Sequence, residues 1–355
     1  MNTLGSQKQL RIEQFETVHC ETNLNPLGVP ESVKRAISDH IGSVGSYPSN
    51  YYDDLKASIA EYAGCDPAHI VMRSGSLDLL RLFIGIFHPK KVLLPTPCSP
   101  ELEKALASMS SKTVFLPLKE EEDFRVNILE LAEALTDDAI GAMVISNPIN
   151  PSSQLISRDE LTAILDLCKE KDVLLVVDEM YIEFADEYLE TTAVPLVEEY
   201  DNLAVIRSIS KFFSVPGLRM AYGIMSNEKH MKQITKTAAN YGISSITAVA
   251  AREMFKDISY IERSRSQVHT ERNLIYSAMT PCKELRLFKP YANFMLVKLL
   301  KEDLTAGDVC EALRTKGLII RNCSDFRGLD HTYIRFSFMN PRQNDLLVNS
   351  ILELM

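Results

Sequence analysis

The sequence has no tryptophan, no cysteine pair of the Cys-x-x-Cys type and no long apolar run. Its longest apolar runs are far shorter than the roughly 18 residues that a membrane-spanning helix needs. Residues 1–20 also lack the basic start and apolar core of a signal peptide. These absences favour a cytoplasmic protein that does not enter a membrane.

The cysteines and the charge balance exclude further classes of protein. The cysteines number seven and are scattered, which favours free thiols in a reducing compartment over disulfides or a zinc site. We therefore expect no metal. Acidic residues outnumber basic ones by 48 to 38, a net charge of −10, so binding to nucleic acid or to an anionic membrane is not expected. A local cationic pocket for a small anion is compatible with this balance.

The order of apolar segments predicts an α/β protein. With 355 residues, 46% of them hydrophobic, the chain can form about two domains with a large core. Short apolar strands alternate with helices over most of the chain, which predicts a mostly parallel sheet covered on both faces. Ser157 and Glu160 have the spacing of a capping box at the start of one helix. Helical stretches 229–256 and 259–280, followed by short strands, are typical of a smaller α+β domain.

Residues 203–219 carry the strongest chemical signal. Leu203 to Ile206 predicts a buried strand, and Lys211 follows closely behind its end. A lysine in desolvated or cationic surroundings becomes a Schiff-base nucleophile. Two hydroxyls and one guanidinium nearby suit a phosphate, those of Ser208, Ser210 and Arg219. The segment therefore predicts the anchor of a phosphorylated aldehyde cofactor.

Polar residues follow two other predicted strands at the same end. Asn150 comes after one apolar strand, and Asp178 comes directly after the next. Ligands of open parallel sheets bind outside the carboxyl ends of the strands, so one crevice can hold both residues together with Lys211. A partly buried carboxylate needs a cation or good donors, and a protonated pyridine nitrogen would be such a cation. Tyr181 and Asn150 could donate hydrogen bonds to a phenolic oxygen.

Further groups can bind anions. The segment Gly75-Ser76-Leu77 at a predicted helix start offers backbone N–H groups and the positive end of a helix dipole to a phosphate. Arg335, on an apolar strand near the end of the sequence, could hold a substrate carboxylate. Arg321 and Arg327 are candidates for a second anion.

Each of these residues also has an ordinary structural explanation. Asp178 could cap a helix or pair with an arginine, and Lys211 could be a solvated surface lysine. Ser76 could be only a helix cap, Tyr181 a packing residue, and the arginines surface charges. The functional interpretation depends on the coincidence of all these residues at one edge of the predicted sheet.

Taken together, these motifs resemble the aspartate-aminotransferase-like fold of enzymes that use pyridoxal 5′-phosphate (PLP). The resemblance runs from about residue 21 to the end. Its markers are Asn147-Pro-Ile-Asn-Pro-Ser152, Asp178-Glu-Met-Tyr-Ile-Glu-Phe184, Ser208-Ile-Ser-Lys-Phe-Phe213 and Pro216-Gly-Leu-Arg219. It implies a large PLP-binding domain, residues 41–245, with a mostly parallel mixed sheet between helices. Residues 1–40 and 246–355 would form the smaller α+β domain.

Within this fold the chain is similar to the branch that contains histidinol-phosphate aminotransferase and threonine-phosphate decarboxylase. The segments that look more like the decarboxylase are Asn25-Pro-Leu-Gly28, Ile319-Ile-Arg-Asn-Cys323, and Gly328-Leu-Asp330 before Tyr333-Ile-Arg335. The resemblance implies a PLP-dependent decarboxylase for the cobamide side chain. It would convert O-phospho-L-threonine to aminopropanol phosphate, or O-phospho-L-serine to ethanolamine phosphate. The alternatives are a class II aminotransferase, such as one acting on histidinol phosphate, and a catalytically silent binding protein on the same fold.

The resemblance also implies roles for individual residues. Lys211 would form the Schiff base with PLP, Asp178 would pair with the pyridine nitrogen, and Asn150 and Tyr181 would bind the ring oxygen. The cofactor phosphate would be held by Ser76, the Leu77 backbone, Ser208, Ser210 and Arg219, and by Tyr47 from the partner subunit of a homodimer. The substrate would be bound by Arg335, through its carboxylate, and by Arg321, Asn25 and Asn293.

The chain departs from the family pattern at the cofactor ring and at the substrate. The loop after the strand at 92–94 usually carries an aromatic residue that stacks on the ring, but Pro97 to Leu102 contains none. Ser99 or Cys98 is therefore expected against the ring. Ile149 replaces the first asparagine of the usual Asn-Asn pair, and the N-terminal His-Gly-Gly expected of the decarboxylase is absent.

Overall fold

The structure, a computed structural model, describes residues 17–48, 52–237 and 242–355. The strands are β1 Val18–His19, β2 Ile70–Arg73, β3 Lys91–Thr96, β4 Lys112–Pro117, β5 Ile140–Ser146, β6 Leu174–Asp178, β7 Leu203–Ser208, β8 Ala221–Ile224, β9 Leu285–Leu287, β10 Phe294–Leu299, β11 Leu318–Ile319, β12 Arg321–Asn322 and β13 Tyr333–Ser337. The helices are α1 Glu31–Asp39, α2 Asp53–Ala63, α3 Ser76–Phe87, α4 Pro100–Ala107, α5 Ile128–Ala134, α6 Arg158–Glu170, α7 Tyr188–Thr191, α8 Ile209–Phe212, α9 Glu228–Thr237, α10 Ser245–Lys256, α11 Ile258–Met279, α12 Ala306–Thr315 and α13 Pro341–Leu352.

The larger sheet of the described residues has seven strands in the order β2-β8-β7-β6-β5-β3-β4. Strand β8 runs antiparallel to its neighbours β2 and β7, and the other pairs are parallel. This confirms the mixed, mostly parallel sheet that the sequence predicts. The carboxyl ends of β5, β6 and β7 therefore meet at one edge, where Asp178 and Ser208 end their strands.

Helices cover both faces of this sheet, which explains why its inner strands are apolar throughout. Side chains alternate across a strand, so Leu175 and Val177 of β6 belong to the core that α6 covers, whereas Val176 packs on the side of α3. The capping box of Ser157 and Glu160 starts α6, as the spacing predicts.

Helix α3 lies close on the sheet because β8 contributes a glycine. A Cβ atom at Gly223 would lie 2.5 Å from Cζ of Phe83, so a larger residue there would push the helix away. The start of α3 contributes to the candidate site, and this close contact helps to fix its position.

A second, antiparallel sheet has the order β12-β13-β10-β9 and packs with helices of the C-terminal part of the chain. The N-terminal segment joins this part, because β1 pairs in parallel with β11, Val18 opposite Leu318. The division of the chain at residues 40 and 245 stays a prediction.

The prediction of one helical stretch over residues 229–256 is wrong. The structure has two helices, α9 and α10, and residues 242–244 between them are not helical. Ser244 starts α10, since its side chain accepts a hydrogen bond from the backbone N–H of Thr247. The stretch predicted at 259–280 is confirmed as α11. No helix in the described ranges is long and apolar enough to cross a membrane.

Candidate active site

A cavity of about 630 Å³ opens at the carboxyl edge of the large sheet. Its walls come from the strand ends, the start of α3, the N-terminal segment and strands β12 and β13. The sequence-predicted residues that line it are Ser76, Leu77, Ser99, Asn150, Asp178, Tyr181, Ser208, Ser210, Lys211, Arg219, Arg321 and Arg335. One site therefore brings together residues that lie up to 259 positions apart in the chain (335 − 76).

Lys211 projects from the short helix α8, directly after β7. Its Nζ donates a hydrogen bond to the backbone carbonyl of Thr22 at 2.7 Å. The Ser208 hydroxyl caps α8 by accepting from the backbone N–H of Ser210, which holds the turn that presents the lysine. The amine thus lies in the cavity beside the N-terminal segment and not at the outer surface.

Asp178 ends β6, and the structure leaves its carboxylate without a cation. Burial raises the pKa of Asp178 to about 6, although the backbone N–H of Met180 acts in the opposite direction and donates to Oδ1 at 3.1 Å. No ion pair of the described residues includes Asp178. A carboxylate in such a place gains most from a cationic partner, as a protonated pyridine nitrogen would be.

Replacement of Asp178 by Asn is expected to change how the stability of the ligand-free protein depends on pH. The pKa of Asp178 is raised from 3.8 to about 6, so the folded state holds this proton more tightly than the unfolded state. The contribution of this group to stability is therefore greatest below pH 4 and falls through pH 6, by up to about 3 kcal/mol. The Asp178→Asn variant should not lose this stability between pH 4 and pH 7. Denaturant unfolding at the two pH values measures the difference between the variant and the unchanged protein.

The control for this experiment is Asp345→Asn, which changes an exposed carboxylate on α13. Its stability profile should run parallel to that of the unchanged protein, since exposed charges are well solvated. Glu183, a second buried carboxyl whose pKa burial raises to about 7, contributes equally to all three proteins and cancels in the comparison. An Asp178→Asn profile parallel to the unchanged protein would contradict the assignment.

Asn150 and Tyr181 connect the cofactor side of the cavity to the substrate side. Oδ1 of Asn150 accepts a hydrogen bond from Nη1 of Arg335 at 2.5 Å, so its amide Nδ2 remains to donate to a ring oxygen. The Tyr181 ring packs edge-on against Phe294 at 4.9 Å, and its hydroxyl accepts from Asn23 at 3.4 Å. Both polar groups can therefore face one ligand oxygen.

The start of α3 and the turn after β7 form a site that fits a phosphate. Arg219 approaches Gly75 so closely that a Cβ there would lie 2.7 Å from Nη2. The Ser208 hydroxyl lies 3.0 Å from that of Ser210. Hydroxyls, a guanidinium and the N–H groups at the start of a twelve-residue helix are together suited to a dianion. The residues present thus fit both ends of the predicted cofactor.

Two arginines face each other on the opposite wall. Arg321 and Arg335 are direct cross-strand partners in β12 and β13, and both line the cavity. The Phe326 ring lies against both guanidinium groups, 5.1 Å from Arg321 and 5.9 Å from Arg335. Arg321 also pairs with Asp325. Like charges at opposite positions destabilise a strand pair, so this wall gains from bound anions.

Some sequence-predicted residues do not line the cavity. Asn25 is buried and donates to the carbonyl of Phe212 and the hydroxyl of Ser264, and Asn293 donates to the carbonyl of Asn23. Both amides therefore stabilise the N-terminal segment. Tyr47 is 85% exposed and lies outside the cavity.

Of the two residues predicted to lie against the cofactor ring, one lines the cavity. Ser99 lines the cavity, whereas Cys98 is buried away from it, and burial raises the pKa of its thiol to about 12. Arg327 also lies outside the cavity, because it pairs with Glu103 and stacks on Phe115.

The sequence interpretation missed Glu21, Thr22, Arg81 and Phe326, which all line the cavity. The first two belong to a polar segment without periodicity. Their position directly before Asn25-Pro-Leu-Gly28, a segment of the family resemblance, was the available signal.

A sequence model of the family "Aminotransferase class I and II" matches residues 18–351. The chain belongs to this family. Members of the aminotransferase class I and II family use PLP as their cofactor, and this chain is an enzyme of that PLP-dependent family. The fit of the cavity to a ring nitrogen, a ring oxygen and a phosphate agrees with this membership.

Relatives in the family carry names from both branches. A protein of Caldanaerobacter subterraneus subsp. tengcongensis, provisionally named threonine-phosphate decarboxylase, is 34% identical over 93% of this chain and 88% of its own length. The threonine-phosphate decarboxylase of Salmonella typhimurium is 27% identical over 96% and 92%. The solved histidinol-phosphate aminotransferase of Clostridium acetobutylicum superposes with a TM-score of 0.88 at 28% identity, covering 95% of this chain and 98% of its own. Family membership therefore does not decide between decarboxylation and transamination.

Proposed function

We propose that this enzyme decarboxylates a phosphorylated amino acid. The candidate substrates are O-phospho-L-threonine, which gives aminopropanol phosphate, and O-phospho-L-serine, which gives ethanolamine phosphate. The observation that carries the proposal is the pair Arg321 and Arg335 on the cavity wall. Two guanidinium groups suit a substrate with two anionic ends, a carboxylate and a phosphate.

The cofactor-binding roles are proposed for the residues that line the cavity. Lys211 carries the cofactor, Asp178 pairs with its ring nitrogen, and Asn150 and Tyr181 bind its ring oxygen. When bound, PLP draws electrons from the bond that breaks at the substrate Cα. The groups that hold its phosphate are Ser76, the Leu77 backbone, Ser208, Ser210 and Arg219.

Arg335 and Arg321 decide which bond breaks by orienting the substrate. Arg335 holds the substrate carboxylate and Arg321 the phosphate, so the angle of the Cα–carboxylate bond is fixed by two distant contacts. Through Asn150, which accepts from Arg335, the substrate wall is tied to the residue that binds the ring oxygen. Release of CO₂ requires that these two contacts favour cleavage of the Cα–carboxylate bond over cleavage of Cα–H.

We also propose a homodimer in which Tyr47 reaches the partner's cofactor phosphate. Ile41, Val44 and Tyr47 are exposed on one short segment, at 58%, 68% and 85%. Apolar residues clustered in this way are typical of a protein interface.

The test is incubation with phosphothreonine and phosphoserine, with and without 2-oxoglutarate, followed by CO₂ and amine analysis. We expect CO₂ and the phosphorylated amine without the oxo acid. The competing function, an aminotransferase, is favoured by the similarity to the Clostridium acetobutylicum structure. Keto-product formation that depends on 2-oxoglutarate would establish it instead.

Arg335→Gln and Arg321→Gln are each expected to raise KM for the phosphorylated substrate about 10- to 150-fold. Each change removes a charged hydrogen bond worth roughly 1.5–3 kcal/mol. The control is Arg342→Gln at the exposed start of α13, which should leave KM unchanged. Steady-state kinetics measure the effect, and an Arg321→Gln variant with an unchanged KM would show that the phosphate binds elsewhere.

A further inference from the structure

Decarboxylation of an amino acid consumes one proton, since the carboxylate leaves as CO₂ and hydrogen takes its place on Cα. A transamination cycle consumes none overall. If the proposed function is right, the enzyme therefore needs a route by which a solvent proton reaches the reacting carbon. We propose that Glu21 and His19 are this route and that they deliver the proton through Lys211.

The side chain of Glu21 extends from the cavity to the protein surface. Glu21 lines the cavity, and its Oε2 is buried without a hydrogen-bond partner. Its Oε1 lies 2.8 Å from Nδ1 of His19, whose side chain is 61% exposed, whereas that of Glu21 is 25% exposed. One carboxylate thus connects an imidazole in solvent with the interior.

The segment that carries Glu21 also holds the residues of the reaction. The backbone carbonyl of Glu21 accepts from Nη2 of Arg335 at 2.9 Å, and that of Thr22 accepts from Nζ of Lys211 at 2.7 Å. Glu21 therefore lies one residue from the contact that positions the lysine amine. This segment thus contacts Lys211 and Arg335, and Arg321 lies opposite Arg335 in the sheet.

A structural role explains this carboxylate poorly. A buried acceptor without a donor costs free energy, and a negative charge on this wall repels a substrate with a carboxylate and a phosphate. An uncharged amide or hydroxyl would bind the anions better. A group that must take up and release a proton has a reason to be a carboxylate.

The proton balance closes with solvent as the source. CO₂ leaves, and the electron pair of the broken bond stays with Cα. The Lys211 ammonium gives its proton to Cα, and the protonated Glu21 carboxyl restores it to the lysine amine. His19 then reprotonates Glu21, and water reprotonates His19, so each turnover takes one proton from solvent.

The experiment compares Glu21→Gln and His19→Gln with the unchanged holoenzyme. We expect Glu21→Gln to lower kcat for amine formation about 100-fold, within the range for one acid–base group, with little change in KM. His19→Gln lowers kcat less, because water can reach the carboxyl directly. In both variants the solvent deuterium isotope effect on kcat should increase. Formate should partly restore the rate of Glu21→Ala.

Glu302→Gln is the matched control, since Glu302 is an exposed carboxylate between β10 and α12, outside the cavity. It should change neither kcat nor the isotope effect. Thermal unfolding and the visible absorption of bound cofactor show whether Glu21→Gln folds and binds the cofactor normally. If it does not, the solvent isotope effect of the surface variant His19→Gln tests the proton route instead.

Two negative outcomes are distinguishable. A wild-type enzyme that forms no amine without an oxo acid overturns the proposed function and removes the need for the relay. A wild-type enzyme that releases CO₂, with unchanged kcat and isotope effect in Glu21→Gln, overturns the relay alone.

Discussion

Lys211→Ala should lower the rate of product formation at least about 10³-fold and should abolish the visible absorption of the bound cofactor. The lysine amine is both the proposed attachment point and the group that moves a proton at the substrate Cα, and loss of a positioned acid–base group alone costs about 10²–10⁴-fold. Its hydrogen bond to the carbonyl of Thr22 shows that the amine lies within the cavity. Absorption spectra and single-turnover kinetics measure the two effects separately.

Lys112→Ala is a suitable control, because Lys112 is exposed on β4 and lies away from the cavity. It should retain the activity and the spectrum of the unchanged enzyme. Lys211→Arg should be as inactive as Lys211→Ala, since a guanidinium keeps the charge but forms no Schiff base. Retention of the absorption in Lys211→Ala, with turnover above a tenth of normal, would assign cofactor attachment to another residue.

Arg207→Met is expected to cost roughly 3–5 kcal/mol of folding free energy, because it leaves a buried carboxylate without its cation. Arg207 and Glu179 are 1% and 0% exposed, and Nε donates to Oε2 at 2.9 Å. Thr192 bridges the two, donating to Glu179 and accepting from Arg207. Burial lowers the pKa of Arg207, but Glu179 together with Tyr222 and Glu183 raises it by more, so the guanidinium stays charged. Urea unfolding of the ligand-free protein measures the loss.

Lys232→Ala provides the contrast, because it breaks the exposed pair with Glu228 on α9. That change should cost no more than about 0.5 kcal/mol, since solvent screens exposed helical pairs. The double variant Arg207→Met with Glu179→Leu should be less destabilised than the sum of the two single changes. An Arg207→Met variant as stable as Lys232→Ala would show that Glu179 is protonated or solvated in the fold.

The sequence predicts those residues of the site whose positions follow from the order of strands and loops along the chain. Lys211, Asp178 and Asn150 each follow an apolar strand, and parallel strands bring their carboxyl ends to one edge, so their convergence could be foreseen. Phe326 could not be foreseen in the same way. Its role comes from a loop that folds back between β12 and β13, and no periodic pattern encodes the ring's position against two guanidinium groups.

Substrate binding by Asn25 and Asn293 stays a prediction, since their amides hydrogen-bond to backbone carbonyls and a hydroxyl in the interior. One helix boundary was predicted wrongly. The break between α9 and α10 depends on Ser244 as a helix cap, a local signal that the apolar pattern on either side concealed. The only signal for Glu21 is its position before Asn25-Pro-Leu-Gly28, because its place on the cavity wall is set by contacts with β13, more than 300 residues away.

The contact between the N-terminal segment and β13 also sets the order in which parts of the site form during translation. Glu21 leaves the ribosome early, but Arg335, which binds its carbonyl, is synthesised 314 residues later (335 − 21). At about 5–20 residues per second, the segment waits roughly 15–60 s for its partner. The large sheet can form during that interval, whereas the substrate wall closes only near the end of translation. A nascent chain stalled before β13 is therefore expected to contain Lys211 and Asp178 but no complete site for the substrate.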